Sequence, residues 1–130
     1  MFKMVEPKLG QGLGYLDYLT FGIYADQIGN QIEKECVQYN GVYGLPRGGL
    51  PLAVHLAHRL EVQYLDAPQE GCLIVDDISD SGNTLHAIVN QFKNVDVATI
   101  FYKENSLVIP TYSGKVVGEE TWVVFPWEKK

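Results

Sequence analysis

The sequence predicts an α/β protein with an open, mainly parallel sheet flanked by helices. Short apolar runs alternate along the chain with segments whose apolar residues recur at helical spacing, which is typical of βαβ units. One run, Cys72 to Val75, is apolar at every position, as expected for a central strand covered on both faces. With 130 residues, and roughly 100–200 residues per domain, we expect one domain spanning residues 1–130.

Composition excludes several classes of protein. Lys and Arg number 10 against 16 for Asp and Glu, so the net charge of -6 argues against a nucleic-acid partner. Cys36 and Cys72 are too few for a disulfide framework and predict a reduced, cytoplasmic setting. The N-terminal residues resemble neither a signal peptide nor a spanning segment of ~20 apolar residues. We therefore expect no membrane association.

The first elements are a glycine-rich arm and a helix. Gly10, Gly12 and Gly14 form a GxGxG pattern, but no predicted strand precedes it, so it is interpreted as a flexible arm. After Thr20, apolar residues recur at helical spacing through Cys36, which predicts a helix ending at Asn40-Gly41.

The rest of the chain alternates strands and helices. The predicted elements are a strand at 42–45, a helix at 50–60, strands at 62–65 and 72–75, a helical face from Leu85 to Phe92 and a strand at 95–102. Ligands of such sheets bind beyond the carboxyl ends of the strands. The glycine-containing loops 44–49 and 79–84 occupy that position.

The segment from Leu73 to Leu85 carries the clearest chemical pattern. An apolar strand delivers Asp76 and Asp77 to the sheet edge, and a turn rich in Ser, Gly and Thr then opens into a helix. Backbone N–H groups, hydroxyls and the positive end of the helix dipole suit a monophosphate. Capping of the helix by Ser79, Asp80 or Ser81 is the simpler alternative, but it accounts for one polar residue rather than for the whole set.

This segment resembles the phosphoribosyl-pyrophosphate (PRPP) signature of the type I phosphoribosyltransferases. The resemblance implies that Asp76 and Asp77 hold the ribose 2′- and 3′-hydroxyls, since vicinal hydroxyls suit carboxylate acceptors. It also implies that the loop grips the PRPP 5′-phosphate through Asp80, Ser81, Gly82, Asn83 and Thr84.

The loop from Gly44 to Leu50 is similar to the pyrophosphate loop of the same family. The resemblance implies that Arg47 supplies a forked cation and that Gly48 and Gly49 expose backbone N–H groups to the pyrophosphate. It further implies a cis peptide bond between Pro46 and Arg47.

Two C-terminal segments, Ile100–Lys103 and Thr121–Glu128, look like the base-binding segments of the 6-oxopurine branch. The resemblance implies that Lys103 donates to the purine O6, that Trp122 stacks on the base, and that carbonyls from Trp122 to Glu128, including that of Val123, read its exocyclic groups. A cationic donor favours an oxo purine over adenine. As alternatives, Lys103 is a solvated surface lysine, and Trp122, Phe125 and Trp127 anchor the C-terminus in the core.

The resemblance implies transfer of the phosphoribosyl group of PRPP to hypoxanthine, guanine or xanthine, giving a nucleoside 5′-monophosphate and pyrophosphate. Asp80 lies at the family's position for the group that holds the purine N7 proton. The implied cofactor is Mg²⁺, which Asp76 and Asp77 contact indirectly through PRPP and water. Family members form dimers or tetramers, so we expect a homodimer or homotetramer.

One departure leaves the function open. Family members carry a long mobile hood loop before the PRPP strand, whereas only residues 61–75 separate Leu60 from Asp76 here. We therefore expect a type I phosphoribosyltransferase-like fold with a reduced C-terminal hood. The chain is then either a compact enzyme with slow turnover or a noncatalytic PRPP- or nucleotide-binding regulatory protein lacking the lid.

A third hypothesis is a response-regulator receiver, whose acidic pair resembles Asp76 and Asp77. There the pair should end the first strand, which is not the case here. His55, His58 and His86 are interpreted as helix-surface or structural residues, because no third metal ligand is visible.

Overall fold

The computed structural model describes residues 3–5 and 13–128. Gly10 and Gly12 of the predicted arm therefore lie outside the described residues, while Gly14 lies in a strand. The elements in chain order are β1 (Lys3–Val5), β2 (Leu13–Tyr15), α1 (Tyr18–Glu35), β3 (Val42–Gly44), α2 (Leu50–Leu60), β4 (Tyr64–Leu65), β5 (Leu73–Ser79), α3 (Asn83–Val89), β6 (Asp96–Lys103), β7 (Tyr112–Val117) and β8 (Trp122–Val124).

The main sheet has the strand order β4-β3-β5-β6-β7, and all its neighbouring strands are parallel. Register pairs Gly44 of β3 with Val75 of β5, and Ser79 of β5 with Tyr102 of β6. The carboxyl ends of β3, β5 and β6 therefore meet at one edge. The predicted fold class is confirmed.

The core lies on both faces of this sheet. Leu73 and Val75 of β5 pack in a cluster with residues of α1 and α2, while Ile74 belongs to a second cluster with Leu85 of α3. Every residue from Cys72 to Val75 is fully buried. The continuous apolar run therefore marks a central strand covered on both sides.

Helix α1 begins and ends with clear local signals. The side chain of Asp17 accepts a hydrogen bond of 2.7 Å from the Thr20 N–H, which caps the first turn. The helix ends at Glu35 rather than at Asn40, because Cys36 takes a left-handed conformation with φ 56°. The chain then turns so that Tyr39 enters the core, where its hydroxyl contacts Asp96 and the Tyr112 hydroxyl.

The outer strand β7 is tied to α1 by one side chain. The Gln31 amide nitrogen donates to the Ser113 carbonyl at 2.8 Å, and the Gln31 carbonyl oxygen accepts from the Ser113 N–H at 3.1 Å. Sequence analysis predicted no element between residues 104 and 120. The pattern is weak there because Ser113, Gly114 and Lys115 interrupt any apolar alternation.

A second, three-stranded sheet joins the two ends of the described chain in the order β1-β2-β8. β2 is antiparallel to β1 and parallel to β8, with Gly14 paired to Val123. The Leu16 N–H continues the pairing by donating to the Val124 carbonyl at 3.0 Å. This three-stranded sheet is the reduced hood. Its strands have three residues each, which is too short for a periodic pattern to predict them from the sequence.

Further predicted boundaries were also wrong. The strand predicted at 62–65 covers only Tyr64–Leu65, and α3 ends at Val89, which leaves Phe92 outside the helix. The strand predicted at 72–75 continues to Ser79. The pairing of β5 with β6 extends through polar residues because the neighbouring strand β6 is long enough to bond them.

Candidate active site

The loop after β3 folds tightly against β5. The Leu45 N–H donates to the Val75 carbonyl at 2.9 Å, and the Gly49 N–H donates to the Leu45 carbonyl at 2.8 Å. The prediction that Gly49 exposes its N–H to a ligand is therefore wrong, because the turn of the loop uses that donor. A Cβ on Gly49 would lie 2.6 Å from the Val75 carbonyl oxygen, so only glycine fits. The peptide bond between Pro46 and Arg47 is cis, as predicted. We call residues 45–49 the pyrophosphate loop.

This loop touches the acidic pair directly. A Cβ added to Gly48 would lie only 2.8 Å from Cγ of Asp77 and would collide with this carboxylate. The backbone of Gly48 therefore lies against Asp77, with no side chain between them. The two loops that sequence analysis selected converge at one sheet edge.

Asp76 and Asp77 lie within β5, because this strand continues to Ser79 and does not end at Val75 as predicted. They project past the shorter neighbour β3, which stops at Gly44 opposite Val75. One oxygen of each is held by the next backbone group: the Asp77 N–H donates to Asp76 Oδ1 at 2.8 Å, and the Ile78 N–H to Asp77 Oδ1 at 2.7 Å.

Burial disfavours the ionised form of both carboxylates. It raises the pKa of Asp76, and the neighbouring charge of Asp77 raises it further. Burial also raises the pKa of Asp77, with an added contribution from the Glu128 charge. Two half-buried acids whose pKa values are both raised are expected where a ligand or cation completes the site.

Residues 80–84, here the phosphate loop, connect β5 to α3. Gly82 has φ +78° and is the N-cap of α3, and the helix has no side-chain cap. The Ser81 hydroxyl accepts only a 3.3 Å bond from the Asn83 N–H. The polar side chains Asp80, Ser81, Asn83 and Thr84 are exposed. Helix capping therefore does not explain why this loop is polar.

Lys103, the last residue of β6, lies beside this loop. Its ammonium is 3.1 Å from Asp80 Oδ1, and the lysine side chain is only 9% exposed. The alternative that Lys103 is a solvated surface lysine is therefore wrong. A buried cation is held at the sheet edge by an exposed carboxylate.

A cavity of about 1020 Å³ opens at this edge. Its polar wall comprises Arg47, Gly48, Asp77 and Glu128. Its apolar wall comprises Leu50, Pro51, Val54 and Trp127. The cavity therefore spans from the pyrophosphate loop to the C-terminal segment.

The C-terminal segment combines core and cavity roles. Phe125 is buried, and Trp127 stacks on it with ring centroids 5.2 Å apart. Both residues therefore anchor the core, as the alternative interpretation predicted. Trp127 also lines the cavity. Trp122 on β8 is 60% exposed, so the alternative that it anchors the core is wrong, whereas Val123 is buried. Glu128 Oε1 accepts a 2.8 Å bond from the Phe125 N–H, which folds its side chain back on its own turn.

Two further observations concern the connection before β5 and the side chains that could hold a metal ion. Residues 66–72 alone join β4 to β5, so the long loop typical of the family is missing at this connection. No group of three or more His, Cys, Asp or Glu side chains in the described ranges could hold a metal ion. His58 and His86 are exposed, and His55 is half-buried 3.4 Å from Asp26.

Sequence analysis missed Ser106 and its neighbours, which pack on the phosphate loop. The Leu107 N–H donates to the Ser81 carbonyl at 2.9 Å, and Ser106 Oγ lies 2.7 Å from Ser79 Oγ. No local pattern signals these contacts, because the partners lie 27 residues apart in the chain.

The pyrophosphate loop, the acidic pair and the phosphate loop lie together at the carboxyl ends of the parallel strands. This arrangement defines the class as an α/β protein whose ligand site lies at the strand ends. The model of the phosphoribosyl transferase domain matches residues 65–129. That span is half of the chain, and the chain belongs to this family.

Individual relatives agree with this assignment. A xanthine-guanine phosphoribosyltransferase of Cereibacter sphaeroides is 29% identical, over 69% of this chain and 70% of the relative. Purine phosphoribosyltransferase from Pyrococcus horikoshii has the same fold, with a TM-score of 0.76 and 24% identity over 91% of this chain and 95% of that one. A xanthine-guanine-hypoxanthine phosphoribosyltransferase of Helicobacter pylori superimposes with a TM-score of 0.77 at 23% identity, covering 90% and 93% of the two chains.

No helix within the described ranges is both long and apolar enough to cross a membrane.

Proposed function

We propose that this chain is a Mg²⁺-dependent purine phosphoribosyltransferase that transfers the 5-phosphoribosyl group of PRPP to hypoxanthine, guanine or xanthine. The observation that carries the proposal is the buried Lys103 ammonium 3.1 Å from Asp80, in the loop that follows the strand of the acidic pair. It provides a donor and an acceptor for neighbouring atoms of one base, next to loops suited to a sugar phosphate. The names of the relatives support the same substrate class.

The three parts of PRPP have separate partners in this proposal. Asp76 and Asp77 accept hydrogen bonds from the ribose 2′- and 3′-hydroxyls. Asp80, Ser81, Gly82, Asn83 and Thr84 surround the 5′-phosphate, mainly through backbone N–H groups. Arg47 and Gly48 bind the pyrophosphate, while Gly49 shapes the loop, because its N–H is already bonded to the Leu45 carbonyl. The contact of Gly48 with Asp77 supports the joint grip on one substrate.

The acidic pair fits Mg²⁺ chemistry. Carboxylate oxygens are the ligands this hard cation prefers, and the raised pKa of each aspartate indicates that a positive charge would stabilise their ionised forms. Two adjacent carboxylates are too few for a complete shell, so Asp76 and Asp77 would hold the ion indirectly, through PRPP oxygens and water. When bound, Mg²⁺ neutralises negative charge on the departing pyrophosphate.

In the proposed reaction, the bond between ribose C1′ and the pyrophosphate oxygen breaks, and a bond from C1′ to purine N9 forms. The electron pair of the broken bond leaves with pyrophosphate. The base loses its N7 proton, which Asp80 accepts or holds. The Lys103 ammonium lies 3.1 Å from Asp80 Oδ1, so the proton acceptor and the donor to O6 are adjacent.

Base selection in this proposal comes from Lys103 and the C-terminal segment. The Lys103 ammonium donates to O6 of an oxo purine and would face a donor in adenine. Trp122 stacks on the base, and carbonyls from Trp122 to Glu128, including that of Val123, read the exocyclic groups. The position of Trp127 and Glu128 on the cavity wall supports this end of the site as the base end.

We further propose that residues 1–130 act as one cytoplasmic domain that assembles as a homodimer or homotetramer. Cys36 and Cys72 are both free, which supports a reducing compartment.

The test incubates the chain with PRPP, Mg²⁺ and each of hypoxanthine, guanine, xanthine and adenine, and separates the products chromatographically. We expect IMP, GMP or XMP together with pyrophosphate, and no AMP. Binding of PRPP or nucleotide without any product would support the regulatory alternative, and no binding at all would overturn both.

A further inference from the structure

Residues 104–108 form a support under the phosphate loop. The Leu107 N–H donates to the Ser81 carbonyl at 2.9 Å, so the two segments share a backbone hydrogen bond. A Cβ on Gly82 would lie 2.8 Å from Val108 N and 2.9 Å from Leu107 N. The phosphate loop thus rests on this segment with no spare space.

Ser79 and Ser106 close a ring of hydrogen bonds whose direction can be assigned. The Val108 carbonyl can only accept, so the Ser79 hydroxyl proton goes to it at 2.7 Å. Ser79 Oγ must then accept from the Ser106 hydroxyl, also at 2.7 Å. Ser106 Oγ in turn accepts from the Val108 N–H at 3.2 Å, which completes the ring.

Both hydroxyls are in the interior. Ser79 is fully buried and Ser106 is 9% exposed. Removing one member leaves buried partners unsatisfied, which costs more than the bond itself contributes. The ring therefore holds the start of the phosphate loop in a single arrangement.

The same serine is tied to the end of β6. The Ser106 N–H donates to the Lys103 carbonyl at 3.0 Å, in the turn that follows the strand. Ser106 thus connects Lys103, through its backbone, with Ser79, which directly precedes Asp80 and the phosphate loop.

We infer that Ser106 is a positioning residue for the phosphate loop, and that it holds residues 80–84 in the shape that binds the 5′-phosphate of PRPP. This inference rests on the proposed function for its substrate, while the link from Ser106 to the loop stands on the hydrogen bonds alone. Because the 5′-phosphate does not react, loss of its grip should weaken binding more than turnover.

The first measurement compares amide hydrogen exchange in the wild-type chain and in Ser106→Ala and Ser79→Ala. We expect exchange of residues 80–84 to accelerate about tenfold in both variants, with little change in β3 and α2. Ser113→Ala, a half-buried serine on β7, is the matched control and should leave the loop unchanged. Unchanged exchange in both folded variants would overturn the inference whatever the substrate.

The second measurement titrates ribose 5-phosphate and pyrophosphate separately and records the KM for PRPP and kcat. Ser106→Ala should weaken ribose 5-phosphate binding and raise the KM for PRPP about tenfold, with kcat within about twofold and pyrophosphate binding unchanged. Equal weakening of both ligands would indicate general damage and contradict the inference. The loop could exchange faster in the two variants while the wild-type chain binds neither ligand. This result would contradict the proposed function and the phosphate role, but the structural link from Ser106 to the loop would stand.

Discussion

The Lys103 ammonium lies 3.1 Å from Asp80 Oδ1, which joins the last residue of β6 to the loop that follows β5. The two groups present a donor and an acceptor side by side, matching O6 and N7 on one edge of a 6-oxopurine. The buried lysine would be costly without its carboxylate partner. This pair is the basis of the first two predictions.

Replacing Lys103 with methionine should chiefly weaken base binding. The variant keeps the buried stem and removes the charged donor, so we expect the KM for guanine or hypoxanthine to rise about 10- to 100-fold. Steady-state kinetics with each base measures this change. Lys93→Met, at an exposed lysine outside the site, is the control. An unchanged base KM would contradict the O6 assignment.

Asp80→Asn should impair turnover while PRPP still binds. The amide cannot take up the N7 proton, so kcat should fall about 100- to 1000-fold. The test measures kcat together with PRPP affinity, and Asp66→Asn at an exposed loop position serves as the control. A kcat close to wild type would exclude Asp80 as the N7 proton acceptor.

The ligand-free chain should become less stable as the pH rises. The pKa values of Asp76 and Asp77 are raised above the ordinary aspartate value, mainly by burial. At pH values between the ordinary aspartate pKa and the raised pKa values, the folded chain binds more protons than the unfolded chain. The free energy of unfolding therefore decreases with increasing pH. Denaturant unfolding between pH 5 and pH 8 without Mg²⁺ or PRPP measures the slope.

The substitution Asp76→Asn isolates this effect. It should stabilise the ligand-free chain by about 1–2 kcal/mol at pH 8, with a smaller gain at pH 5, and should weaken PRPP binding. A variant less stable than wild type at pH 8 would contradict the expected repulsion within the pair.

Gly82→Ala should destabilise the protein and weaken PRPP binding. Gly82 has φ +78°, and an added Cβ would lie 2.8 Å from Val108 N. We expect a loss of about 1–3 kcal/mol in the free energy of unfolding, from backbone strain and collision together. Gly22→Ala is the matched control: a Cβ there meets nothing within 4 Å in α1, so it should stabilise by about 0.5–1 kcal/mol. Equal effects of the two substitutions would refute the argument.

The sequence was informative where chemistry and structure are local. The apolar run before Asp76 and the polar loop after it are continuous in the chain, so strand, acidic pair and phosphate loop could all be predicted together. The contact of Ser106 with Ser79 and the pairing of Gly14 with Val123 join distant segments and leave no periodic pattern. The burial of Lys103 was likewise undetermined, because it depends on how its neighbours in space pack.

The side chain of Gln31 has a consequence for association between molecules. Edge strands expose unpaired N–H and C=O groups on which a strand from another chain can add. On β7 the amide of Gln31 already bonds both backbone groups of Ser113, so an incoming strand would have to displace it there. A single amide thereby obstructs extension of the sheet into intermolecular aggregates along this border.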